Sequence, residues 1–316
     1  MPYTVPLLSA GNWGGQGLHL RGNVENFLGA ASEQKWLEIH GLEHWTEFYT
    51  DYGVALQQRF FDHFLKGEDN GWDRSPRIQL QVRRPDGFSP RAENEWPLAR
   101  TCWTRMYLHP SDCSLRPDPP ATADQVSYET FAPGVTFMSP PLEVQTEITG
   151  PAAAKLWISS STTDADVFVV LRAFDPTGNE LLFSGATDPH TPIGQGWLRA
   201  SHRKLDTVRS EPYRPVHTHD EAWPLVPGEP VEVDVEIWPT CIVLPAGYRI
   251  GLTVQGKDYD EGGEATISNS GNALRGSGVF IHTDVRDRTE ERFGGRNTLH
   301  VGAGRKSYVL LPIIPT

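Results

Sequence analysis

The sequence predicts a mixed fold of two joined units: residues 1–70 as the closing end of a doubly wound α/β sheet, and residues 71–316 as an all-β sandwich of the jelly-roll kind. Three observations carry this. Up to Lys66, short apolar runs alternate with stretches of helical periodicity, the order of a parallel sheet with crossover helices. Between Lys66 and Arg100 the chain turns polar, with Gly71 and Pro76, and then brings Trp96-Pro97 and Trp103 as bulk for a seam between units. From Val126 onward, β-rich runs recur between Gly and Pro turns with no long helical period.

The elements follow in order. Val5-Pro6-Leu7-Leu8-Ser9 is a short apolar run ending at a glycine-rich loop, Gly11 to Gly17, as a buried parallel strand does. Asn23 is placed to cap a short helix through Ala31, and Lys35 to His40 forms the next strand, followed by a loop with Glu43 and His44. From Asp51 to Leu65, Val54, Leu56, Phe60, Phe61, Phe64 and Leu65 fall largely on one helical face, and the helix stops at Gly67. Glu68 to Arg74 reads as a linker, and Ile78 to Val82 alternates as a half-buried strand. Ser111 to Ala123, with Pro117, Pro119 and Pro120, reads as a loop without regular structure. In the sandwich, Lys155–Ser159, Asp166–Phe174, Val231–Ile237, Tyr248–Val254, Gly278–His282 and Tyr308–Ile313 read as strands. Asp175 to Asn179 and Pro245 to Gly247 have the turn chemistry of hairpins, because proline presets φ and glycine accepts positive φ.

The segments VPLLSAGNWGG, WLEIHGLEH, FFDHFLKG and ENEWPLA resemble acyl hydrolases related to cocaine esterase and X-Pro dipeptidyl-peptidase, and the likeness runs nearly end to end. The resemblance implies the C-terminal fragment of an α/β-hydrolase domain followed by a C-terminal, galactose-binding-like jelly roll. It also implies a serine hydrolase that cleaves an ester or amide in a small-molecule or peptide substrate. His44 matches the family's catalytic histidine, in the loop between a strand and a helix, although the family's glycine-proline-tryptophan turn reads His40-Gly41-Leu42-Glu43 here. Where the family carries an aspartate after the first strand stands Gly15; Glu25, Glu43 and Asp51 are the alternative acids, or the site works without a strong one. No Gly-x-Ser-x-Gly elbow is present, and Ser9, Ser184 and Ser277 do not sit between glycines at that spacing. The nucleophile is therefore expected from an N-terminal catalytic portion preceding Met1, consistent with a parallel strand that starts within a few residues of the first. The alternative is a non-catalytic jelly-roll module that binds a partner or a carbohydrate.

Composition narrows the partners. A formal net charge of −12 without a basic cluster argues against nucleic acid and anionic membrane, which demand a basic face. No signal peptide or membrane-length apolar stretch is evident. Cys102, Cys113 and Cys241 form neither a disulfide framework nor a zinc spacing, so reduced thiols and a cytoplasmic location are expected. His202, His217, His219 and Asp220 lie in a proline-bounded loop and read as solvated rather than metal-binding, and Asp164 and Asp166 are too few oxygens for calcium. Gly262 to Gly278 lacks a phosphate-cradle pattern. No cofactor is expected, and a homo-oligomer stays open.

Overall fold

The computed structural model describes residues 4–16, 18–183, 185, 190–259, 266–267, 273–274 and 281–315. The first sheet contains β1 (Leu7–Asn12), β2 (Lys35–His40), β3 (Ile78–Arg84) and β4 (Gly87–Glu93), hydrogen-bonded in that order. The first three are parallel, with Leu7 opposite Lys35, Asn12 opposite His40 and Leu37 opposite Ile78; β4 returns antiparallel. Because β3 pairs with β2 and β4 with β3, this sheet extends to Glu93, past residue 70 where the sequence places the boundary.

Each face of the sheet is covered as period-two alternation requires. Leu37, Ile39, Ile78, Leu80 and Val82 pack on Trp13 and on Leu20, Val24 and Phe27 of α1 (Leu20–Gly29). Trp36 on the opposite face packs on Leu56 and Phe60 of α3 (Asp51–Lys66) and on Trp72. Asn23 does not cap α1. It lies inside the helix and its side-chain amide donates to the Ala10 carbonyl at 2.9 Å, tying α1 to β1. Helix α3 is capped as expected at its end, with Gly67 left-handed at φ 73°, and at its start the Thr50 hydroxyl accepts from the Gly53 amide. Its apolar residues divide: Leu56 and Phe60 are buried, whereas Val54, Phe61 and Leu65 are 47%, 51% and 77% exposed. The segment read as a linker is docked, because Trp72 is fully buried among Trp36 and Phe60.

The second unit comprises β5 (Cys102–His109), β6 (Ser114–Arg116), β7 (Asp124–Glu129), β8 (Val135–Met138), β9 (Thr146–Ser160), β10 (Asp166–Phe174), β11 (Gly194–Arg199), β12 (Val231–Leu244) and β13 (Arg249–Gln255). Two-residue strands β14 (Thr266–Ile267) and β15 (Ala273–Leu274) pair with each other, and β16 (Arg296–Val301) and β17 (Tyr308–Ile314) complete the chain after the single-turn helix α4 (Glu290–Phe293). One ladder path runs β11-β10-β13-β8-β6-β5-β17-β9-β16-β7, with β12 on β9. Strand β11 lies against β12 without a ladder between them, so two layers enclose the core of Leu156, Val169, Leu171, Val235, Ile237 and Leu252. Gly196 marks that close approach, since a Cβ there would fall 1.7 Å from the Glu236 carbonyl oxygen.

Several local expectations change. β6 forms within the proline-rich stretch by pairing with β5. The Pro245 to Gly247 turn, with Gly247 at φ 88°, does not close a hairpin: β12 goes to β9 and β13 to β10 and β8, so the turn carries the chain between layers. The Asp175 to Asn179 turn closes through a Phe174–Glu180 bridge, but the strands that pair with β10 are β13 and β11, and β11 starts only at Gly194. Residues 278–280 of the strand read at Gly278 to His282 lie outside the described residues, as does most of the Gly262 to Gly278 run.

The two units share a packed seam. Trp96 packs beside Trp13 with Cys241 and Val243 in the same cluster. Arg83, fully buried on β3, donates through Nε to the Cys241 carbonyl at 2.7 Å and through Nη2 to the Ile193 carbonyl at 2.8 Å and the Thr240 hydroxyl at 2.7 Å. Burial pulls its guanidinium down to about 10, which leaves it charged at neutral pH. The Gln16 amide donates to the Pro192 carbonyl at 2.9 Å, and Arg21 pairs with Glu236 at 2.8 Å.

Candidate functional site

In an open parallel sheet the loops beyond the carboxyl ends of the strands form the ligand-side rim. Here β1 ends at Asn12 and β2 at His40, opposite one another, and the chain leaves β2 through Gly41, Leu42 and Glu43 into α2 (His44–Phe48). His44 thus opens a helix four residues after the end of a parallel strand; its side chain lies outside the described residues. The pitch of α2 against α3 requires Gly53, where a Cβ would fall 2.1 Å from the Glu47 carbonyl oxygen.

The alternative acids are held elsewhere. A Cβ on Gly15 would stand 2.4 Å from Asn12 Oδ1, and an added side chain would need Asn12 to move. Asn12 is fully buried, and neither atom of its amide has a partner among the described residues. Glu25 pairs with Arg214 of the second unit at 3.1 Å. Glu43 accepts from the Thr46 hydroxyl at 3.1 Å, and Asp51 is an exposed first-turn residue of α3.

The sequence reading missed a buried polar cluster beneath α2. His40, the last residue of β2, is 4% exposed and its Nδ1 lies 2.8 Å from Glu38 Oε2, itself 2% exposed. His40 Nε2 is buried without a partner among the described residues. Burial raises the Glu38 carboxyl while its bond to His40 works the other way, and burial with Glu38 nearby pushes the Tyr52 hydroxyl up. Glu47, also buried, accepts from Gln81 Nε2 at 2.7 Å, and Gln81 Oε1 accepts from the Gly41 amide at 3.0 Å. The signal was in the strand: Trp36, Glu38 and His40 alternate onto one face that α3 covers, and two ionisable groups at buried strand positions must find partners there.

On the second unit a cavity of about 670 Å³ is lined by Phe168, Trp197, Trp238, His217, His282 and Arg199, among others. His202 and His219 approach through Nδ1 atoms at 3.1 Å, and His217 stands beside them, pulled down to about 4 by burial first and by His219 second. Among the described residues no group of three His, Cys, Asp or Glu side chains is arranged to hold a metal ion. Asp164 accepts from the Ser201 hydroxyl at 2.6 Å and pairs with Arg292, while Asp166 pairs with Arg199 and Arg288, so both carboxylates are committed to the protein. Among the described residues no helix is long and apolar enough to cross a membrane.

Residues 70–310 match the family described as the X-Pro dipeptidyl-peptidase C-terminal non-catalytic domain; His44 lies outside that segment. The chain is 30% identical over 241 residues to a putative serine esterase of Mycobacterium tuberculosis, covering 63% of this chain and 35% of that protein. It is 25% identical over 299 residues to cocaine esterase of a Rhodococcus species, covering 83% of this chain and 46% of the esterase. A crystal structure of a CocE/NonD family hydrolase from Staphylococcus aureus superposes with a TM-score of 0.86 at 28% identity, over 98% of this chain and 54% of that one. The chain therefore spans about half, or less, of the length of these relatives.

Proposed function

The chain belongs to the X-Pro dipeptidyl-peptidase C-terminal domain family, among acyl hydrolases related to cocaine esterase, and from that premise we propose that it is the C-terminal portion of a serine hydrolase cleaving an ester or an X-Pro peptide bond. In this reading β1 to β4 with α1 to α3 close an α/β-hydrolase sheet and the second unit is its jelly roll. His44 is the general base for a serine carried by polypeptide outside residues 1–316. It takes the serine proton as the hydroxyl attacks the acyl carbon, then returns it to the leaving alcohol or amine, and water repeats the sequence to release the acid.

The observation that carries the proposal is the position of His44, first residue of the helix that follows parallel strand β2 at the sheet's carboxyl rim. Two further features support it. Strand β1 has no second neighbour among the described residues, and α3 presents Val54, Phe61 and Leu65 outward, as surfaces do when more of a sheet and its helices belong there. Three unpaired cysteines, Cys102 exposed among them, fit a reducing, cytoplasmic setting.

The test is hydrolysis of p-nitrophenyl butyrate by a polypeptide joining this chain to its catalytic portion. Turnover is expected to fall by about 10⁴ in His44→Ala with an unchanged melting temperature. Wild-type turnover in that variant overturns the assignment.

A further inference from the structure

One side chain fastens both ends of the segment that carries His44. Gln81 lies on β3 where its side chain reaches over the end of β2. Its Oε1 accepts from the amide of Gly41, three residues before His44, at 3.0 Å, and its Nε2 donates to Glu47, three residues after it, at 2.7 Å. The carbonyl of the same residue accepts from the indole N–H of the fully buried Trp13 at 2.7 Å, in the loop that also holds Gly15. Three segments thus converge on one residue: the loop after β1, the turn after β2, and α2. The amide is matched to its place, since it must accept on one side and donate on the other, which neither a carboxylate nor an ammonium does alone.

We propose that Gln81 is the positioning residue of the candidate site, setting the His44 turn relative to the loop after β1. This rests on the reading of His44 as general base, but its structural half does not. An error of about 1 Å in the placement of such a group costs on the order of 10² in rate, so a brace on both sides of it is worth having. The ionisable groups around the brace are Glu47 on α2, Glu38 and His40 on β2, and Tyr52 on α3.

The experiment compares Gln81→Ala, Gln81→Glu and the exchange Gln81→Glu/Glu47→Gln. Amide exchange at Gly41 is measured in the full chain, and kcat and KM for p-nitrophenyl butyrate in the protein carrying its catalytic portion. Gln81→Ala is expected to speed Gly41 exchange at least about tenfold and to lower kcat by about 10- to 100-fold with KM within about twofold. Gln81→Glu sets a second carboxylate against Glu47, so it is expected to be defective relative to wild type at pH 8 and to approach wild type measured at the same pH toward pH 5, as the pair takes up a proton. The exchange variant reverses donor and acceptor between the two side chains and is expected to return exchange and kcat to within about threefold of wild type. Unchanged Gly41 exchange in Gln81→Ala overturns the proposal. So does unchanged kcat while His44→Ala is inactive, or an exchange variant no better than Gln81→Glu. If instead His44→Ala keeps its turnover, the catalytic reading falls and the Gly41 measurement still decides the brace.

Discussion

Replacing Arg83 by Met is expected to loosen the seam between the two units. Methionine fills much of the same volume, so the substitution isolates the three hydrogen bonds from guanidinium to the Cys241 carbonyl, the Ile193 carbonyl and the Thr240 hydroxyl. Bonds from a charged donor contribute about 1.5–3 kcal/mol each, about 4–9 kcal/mol in all. Against this stands the cost of burying a guanidinium that pairs with no carboxylate among the described residues, several kcal/mol, which the variant no longer bears. The net expectation is a loss of about 2–4 kcal/mol, or a fall in melting temperature of roughly 3–6 °C for a chain of 316 residues. Arg83→Lys keeps a charge but offers a point donor in place of a fork, and is expected to lose a similar amount. Urea titration followed by circular dichroism and by tryptophan emission, to which Trp13 and Trp96 at the seam contribute, reads the effect. Stability within about 0.5 kcal/mol of wild type in Arg83→Met would refute the claim that this side chain holds the units together.

Acid should weaken the second unit through His217. Its folded pKa of about 4 lies below the unfolded value near 6.5, so between those limits the unfolded chain takes up a proton that the fold refuses, and stability falls as pH drops. Discounted for partial solvent access, the loss is about 1–2 kcal/mol, and His217→Gln should flatten it; parallel urea stabilities of the two proteins at pH 7 and pH 4.5 would contradict this. The double substitution Phe61→Lys/Leu65→Lys on the exposed face of α3 should change the stability of the chain by less than about 0.5 kcal/mol per site while weakening its assembly with the catalytic portion. Equal assembly, measured by co-purification of separately tagged portions, would show that this face is not covered.

Much of the first unit was legible because its signals are local. Lys35 to His40 emerges as read and the helix read from Asp51 to Leu65 runs one residue further, to Lys66, the former from a compact apolar run and the latter from periodicity ending at a glycine with positive φ. Asp166 to Phe174 was legible for the same reason, as a run of nine residues of which only Arg172 and Phe174 are not buried. What stayed hidden depends on partners distant in sequence. Ile78 to Val82 reads as a strand, but only its parallel pairing with β2 shows which sheet owns it. The turn at Gly247 looks like a hairpin until its two strands choose different neighbours. In α3 the apolar count gave one face, whereas burial splits it, because helical spacing does not say which apolar residues the rest of the chain reaches. At the candidate site the strand-loop-helix setting of His44 was readable, while the Glu38–His40 pair was passed over and Gln81 gave no local sign of its role.

Pre-steady-state release of p-nitrophenol from p-nitrophenyl acetate, by the polypeptide that joins this chain to its catalytic portion, bears most directly on the role given to His44. A serine hydrolase driven by that imidazole gives a burst near one equivalent in the wild type and none in His44→Ala, at matched melting temperatures. A burst in His44→Ala with a rate within tenfold of wild type would contradict it.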